Sequence, residues 1–131
     1  MGAGIALQIK LSYPEVAKAN RAYYEKLDGN SLNMLGTNLY IKTFDGRTCV
    51  NLYAQDHYRN DGTRKTDYTA FKNCLDRLAK KLSVSDKTIK VGFPYGIGCG
   101  LGGGSWGIIE NMIRDFSEQI PQDVYIVRKE L

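Results

Sequence analysis

The chain has 131 residues, 43% of them hydrophobic and 24% charged, with a formal net charge of +4. A domain of this length buries roughly two thirds of its unfolded surface around one core, so a single domain over residues 1–131 is expected. No apolar run approaches the ~18 residues that cross a bilayer, and no basic segment precedes a signal-type apolar stretch near Met1, so a cytoplasmic protein with no membrane partner is expected.

Residues 5–11, behind the turn Met1-Gly2-Ala3-Gly4, form a short apolar-rich helix candidate. Pro14 suits the first turn of a second helix, in which Val16, Ala19, Tyr23 and Leu27 recur at helical spacing before Gly29 ends it. Residues 39–44 and 49–54 are rich in β-formers, and Asp45-Gly46 between them predicts an antiparallel hairpin. Thr66 is the expected N-cap of a further helix, with Tyr68, Phe71, Leu75, Leu78 and Leu82 as one apolar stripe. Residues 88–93 read as a buried strand, 106–119 as a helix with Trp106, Ile109, Ile113 and Phe116 on one face, and 124–127 as a last strand. That order is a βαβ unit with parallel strands and a right-handed crossover.

Between the first of those strands and its helix lie six of the fourteen glycines, within residues 96–104. Glycine loses the most backbone entropy on ordering, so such a cluster points to positive φ or close approach of a ligand. Amides that converge ahead of a helix N-terminus offer donors and positive dipole to an anion, and ligands of α/β sheets sit at the carboxyl ends of strands. The loop lacks the lysine of a P-loop and the register of a dinucleotide fingerprint. The residues themselves therefore reach only a phosphate-containing small ligand, to which the mild basicity is suited; the charge is too weak to argue nucleic-acid binding.

Other chemistry-bearing residues have plainer readings. Cys49, Cys74 and Cys99 are widely spaced, which gives no disulfide framework or zinc site and predicts reduced thiols. Cys99 lies inside the anion loop, where converging amides could lower a thiol pKa, but position 105 is Ser rather than the Arg of a cysteine phosphatase, and packing is favoured. His57, the one histidine, sits among polar residues and reads as a solvated loop residue. Asp56, Asp61 and Asp67 do not match a calcium loop, and Asp67 reads as a first-turn acid of the helix. Arg64 and Lys65 read as a solvated basic pair. Trp106 is expected in the core, and Tyr95 either packs or stacks on a ligand.

Taken in order, Met-Gly-Ala-Gly-Ile-Ala-Leu-Gln-Ile-Lys at 1–10, Tyr13-Pro14, Leu35-Gly36, Asn51-Leu52-Tyr53-Ala54-Gln55, Thr66-Asp67-Tyr68 and the segment from Pro94 to Trp106 resemble a macro domain. The branch resembled includes ADP-ribose-1''-phosphate phosphatase-like proteins of bacteria and phages and terminal ADP-ribose glycohydrolases. The resemblance implies a three-layer α/β/α sandwich with a mixed sheet. It also implies ADP-ribose or a derivative as ligand, with no metal and no cofactor. Gly2, Ala3, Gly4, Ile5 and Ala6 would lie against the diphosphate and distal ribose, and Gly96, Ile97, Gly98, Cys99, Gly100 and Leu101 would wrap the diphosphate from the other side. Two departures bear on activity. Where glycohydrolase-type members keep a lysine and an aspartate, this chain has Gln55 and Gly102, neither of which serves as nucleophile or base. The family also begins earlier, with an adenine-side strand and a central strand ending in an asparagine, so the chain reads as N-terminally truncated. A missing central strand predicts strand rearrangement or a homodimer that closes the gap. Removal of the terminal phosphate of ADP-ribose-1''-phosphate is the enzymatic expectation, and a non-catalytic reader or weakly binding structural remnant is the alternative.

Overall fold

A computed structural model describes residues 13–27, 29, 33–55, 66–99 and 103–128. Helix α1 spans Pro14–Lys26, with proline in its first turn, Glu15 at the positive end of the dipole and Lys26 at the negative end. Gly29, at φ 66°, turns its amide back to the carbonyl of Tyr24 at 3.0 Å and closes the helix. Strands β1 (Asn38–Lys42) and β2 (Thr48–Leu52) pair antiparallel with Tyr40 opposite Val50. Their turn places Gly46 at φ 85°, as the Asp45-Gly46 pair predicts, and the paired strands are shorter than the β-rich stretches of sequence.

Helix α2 (Tyr68–Ser83) buries Phe71, Leu75, Leu78 and Leu82, the expected stripe, together with Ala70, Cys74 and Ala79. Its N-cap differs from the expectation. Asp67, in extended conformation, is the capping residue and accepts the Ala70 amide at 3.0 Å, while the Thr66 hydroxyl donates to the Gly98 carbonyl at 2.6 Å. A carboxylate one residue nearer the helix satisfies an orphan amide and the dipole together, which releases the threonine for a long-range bond. Strand β3 (Lys90–Pro94), helix α3 (Trp106–Glu118) and strand β4 (Asp123–Val127) form the βαβ unit, and β3 and β4 pair in parallel.

The alternation of β2 builds layers on the hairpin. Asn51 and Tyr53 reach Asn20 of α1, whereas Tyr40 lies under the Lys81 ammonium of α2 and Asn38 donates to the Cys74 carbonyl of α2. Helices α1 and α2 therefore cover opposite faces, an α/β/α arrangement. The main core unites α2, β3 and α3 through Phe71, Leu75, Leu78, Phe93, Ile109 and Phe116, with Phe93 edge-on to Phe116 at 5.7 Å. Burial of each such side chain contributes about 1.5–3 kcal/mol. Buried Gln122 donates to the Leu82 carbonyl at 2.6 Å, so the approach to β4 also ties off the end of α2.

Among the described residues the strands form two two-stranded sheets, β1-β2 and β3-β4, and not one continuous sheet. The helix candidate at 5–11 lies outside the described residues. No described helix is long and apolar enough to cross a membrane.

Candidate functional site

From β2 the chain runs through Ala54, whose carbonyl accepts the Asp67 amide at 2.7 Å, to Gln55, which bridges Thr66; Thr66 in turn holds the Gly98 carbonyl just beyond β3. The carboxyl ends of β2 and β3 thus meet at one end of the molecule, where ligands of α/β folds bind. A cavity of about 750 Å³ runs along β2, from Thr43 and Arg47 at the amino end of the strand to Tyr53, Gln55 and Thr66 at its carboxyl end, where Pro94, Ile97 and Gly98 also line it.

The glycine loop forms one rim. Gly96, Gly98 and Gly103 take φ values of 78°, 76° and 72°, the left-handed region in which a side chain is strained. Gly104 is required for another reason: a Cβ there would lie 2.7 Å from the Gly98 carbonyl oxygen. The Ile97 and Cys99 amides close turns onto the Pro94 and Gly96 carbonyls at 3.2 and 2.9 Å, and the Gly104 amide bonds the Gly98 carbonyl at 2.9 Å. Internal bonds use every second amide and leave those of Gly96 and Gly98 without a described partner. The Tyr68 hydroxyl accepts the Ser105 amide at 2.8 Å, while the Ser105 side chain makes no cap bond, so the first turn of α3 adds donors with no partner among the described residues. Such a rim is suited to anionic oxygens.

Of the expected site residues, Ile97 and Gly98 line the cavity, and Gly96 and Cys99 flank them in the same loop. Gly2, Ala3, Gly4, Ile5, Ala6, Gly100 and Leu101 lie outside the described residues, as do His57, Arg64, Lys65 and Gly102. The Cys99 thiol is turned to the Ile97 carbonyl at 3.5 Å and packs against the core, and burial raises its pKa, so the loop does not activate it. Tyr95 packs on Trp106 with ring centroids 4.8 Å apart, and the Arg128 guanidinium covers its ring at 3.9 Å. The three stack into one pier beside the loop.

Sequence reasoning missed the opposite wall. The side-chain Oδ1 of Asn20 accepts both the Tyr53 hydroxyl and the Asn51 Nδ2, and Tyr53 stacks on Tyr23 at 5.5 Å. The clue was the alternation in Asn51-Leu52-Tyr53, which puts two polar side chains on one face of a strand. Burial raises the pKa of Tyr53 and of nearby Cys49, which keeps both protonated at neutral pH.

No protein-family model matches the chain. It is 29% identical over 123 residues to an uncharacterized 17.5 kDa protein of the tk–vs intergenic region of Enterobacteria phage T4, covering 92% of this chain and 74% of that protein. Among solved structures it is similar to the macrodomain of Mycobacterium tuberculosis DarG, with TM-score 0.75, 22% identity, and coverage of 100% of this chain and 82% of that one. A protein from Bacteroides thetaiotaomicron matches with TM-score 0.70 and 26% identity over 96% of this chain and 80% of that one. The element order, the parallel β3-β4 pair and the helices on both faces of the hairpin thus belong to a known architecture, and the chain has the macrodomain fold.

Proposed function

We propose that the chain binds ADP-ribose or a related ADP-ribosyl metabolite, with the diphosphate against the glycine loop. The observation that carries this reading is the pair of amides at Gly96 and Gly98 that have no partner among the described residues, set by positive-φ turns in the loop whose Gly98 lines the cavity. The macrodomain fold supports the choice of ligand, as does the resemblance of residues 94–106. Gly100 and Leu101, and the segment Gly2, Ala3, Gly4, Ile5 and Ala6, complete the grip in this reading.

The described wall of the cavity carries no carboxylate and no imidazole, and its Cys49 and Tyr53 are held protonated. Gln55, on that wall, transfers no proton. If the chain does remove the terminal phosphate of ADP-ribose-1''-phosphate, the loop contributes by fixing the diphosphate and stabilising charge.

Isothermal calorimetry with ADP-ribose tests the reading. Binding should weaken by at least about tenfold, or 1.4 kcal/mol, in Gly98→Glu, which puts a carboxylate where the anion lies. No heat at millimolar ADP-ribose with the folded chain would overturn it. Phosphate release from ADP-ribose-1''-phosphate, abolished in the same variant, would move the protein from reader to enzyme.

A further inference from the structure

The parallel pair β3-β4 ends in register at Pro94 and Val127, so Tyr95 and Arg128 follow directly on the carboxyl ends of the two strands. The Tyr95 amide bonds the Val127 carbonyl at 2.9 Å and holds those ends together. There the Arg128 guanidinium lies 3.9 Å over the Tyr95 ring, and the same ring packs on Trp106, the first residue of α3, with centroids 4.8 Å apart. Neither this trio nor any β4 residue lines the cavities that β2 and β3 share, so the trio stands outside the cavity already described, beyond β3 from the hairpin. Tyr95 is 45% exposed and Arg128 is exposed, so burial does not account for the stack. Among the described residues no carboxylate pairs with Arg128. Stacking engages the face of a guanidinium and leaves its N–H edge unused, while the ring fixes the plane in which that edge is presented.

We propose that Arg128 anchors a second anion subsite, which takes a phosphate monoester that an ADP-ribosyl ligand carries in addition to its diphosphate. The proposal rests on the ADP-ribosyl reading above and extends it to a further charged group. Three features select phosphate. A planar guanidinium fork meets two phosphate oxygens at once, where a lysine offers only a point charge. Its charge is present at every working pH, and the positive end of the α3 dipole, which begins at Trp106, has the same sign, so a dianion gains more there than a hydroxyl does. Tyr95 directly precedes Gly96, which brings the fork and the loop amides within reach of one ligand. Tyr95 is a positioning residue in this account: its ring holds the guanidinium plane, Trp106 backs the ring, and only Arg128 meets the phosphate.

The test compares three ligands on the chain by calorimetry: ADP-ribose, ADP-ribose 2'-phosphate with its extra phosphate on the adenosine ribose, and ADP-ribose-1''-phosphate with its extra phosphate on the distal ribose. At least one phosphorylated ligand should bind about tenfold or more tighter than ADP-ribose, and which one does so tells which end of the ligand faces Arg128. In Arg128→Gln that ratio of affinities should fall to about one, and Arg128→Lys, a charge without the fork, should recover only part of it. Tyr95→Leu should lower the ratio and Tyr95→Phe, which keeps the ring, should restore it. A ratio between ligands on one protein is not mimicked by a general loss of stability. In the parent, the Arg128 Nε–H signal in NMR should shift with the tighter ligand and stay in place with ADP-ribose, a readout that stands even if a variant fails to fold. Equal affinities in the parent, a ratio that survives Arg128→Gln, or an Arg128 signal that does not move overturns the proposal and leaves ADP-ribose binding intact. Failure of all three ligands to bind overturns the ADP-ribosyl reading together with it.

Discussion

The hairpin half and the βαβ half of this molecule solve the same packing problem with different chemistry. The hairpin is held by polar detail: Asn38, Asn51, Tyr53 and Thr43 all make directed bonds, and of its strand residues only Ile41 is buried. The βαβ half is held by the apolar seam of Phe93, Ile109, Ile113 and Phe116, while Tyr125, Ile126 and Val127 of β4 remain exposed. Directed bonds fix register, and non-directional burial supplies most of the free energy. The halves should therefore respond unequally to mutation.

The largest contrast is expected in the seam. Phe93→Ala should cost about 3–5 kcal/mol, because it empties the space that Phe116 closes edge-on; Tyr53→Phe, in the hairpin wall, should cost only about 0.5–1.5 kcal/mol. Urea unfolding followed by circular dichroism reads both. Equal costs would mean the two halves share one core and the comparison fails.

Next comes a pH effect at the joint between hairpin and helix. Cys74 of α2 is buried with its thiol turned to the carbonyls of Thr37 and Tyr53, and burial pushes its pKa from 9.0 to about 11. The unfolded chain loses this proton first as pH rises, so stability is intact below about pH 9 and falls between pH 9 and 11, by at most about 1.4 kcal/mol per pH unit. Cys74→Ala should flatten that slope relative to the parent, and an unchanged slope would remove the thiol from the account.

What the sequence displays follows the same division. The seam was legible because burial leaves a periodic trace: Ile109, Ile113 and Phe116 at helical spacing, and the stripe from Phe71 to Leu82. The glycine loop was legible because positive φ at Gly96 and Gly98 demands a residue type that composition reveals. Bonds between distant segments leave no such trace. Nothing in Thr66 announces that its hydroxyl meets Gly98, and nothing in Asn20 announces that it joins Tyr53; both depend on how turns bring separate elements together. The N-cap was misplaced by one residue for the same reason, since two adjacent capping types compete and tertiary bonding decides.

Asn20 provides the third contrast. Its side-chain Oδ1 is the shared acceptor of the Tyr53 hydroxyl and the Asn51 Nδ2, so Asn20→Ala leaves two half-buried donors to find new partners, at about 1–2 kcal/mol. Asn20→Asp keeps an acceptor and should recover most of that. Thermal melts of the two variants separate a bond from simple packing, since a packing role would make aspartate no better than alanine.

The smallest effect should appear at Thr66, where the halves are tied across the mouth of the cavity. The Gly98 carbonyl accepts both the Thr66 hydroxyl and the Gly104 amide, so Thr66→Val removes one of two bonds without orphaning the oxygen, and valine fills nearly the same space. The expected loss is near the low end for a hydrogen bond, about 0.5–1 kcal/mol by urea unfolding. Its effect on the loop should be greater than that figure suggests. With Gly98 held only from the α3 side, the loop loses the tie that fixes it relative to the hairpin wall, and exchange of the Gly104 amide, which shares the Gly98 carbonyl, should quicken by NMR more than that of the Cys99 amide, which stays within its own turn. Uniform quickening along the loop would show that Thr66 sets stability there and not orientation.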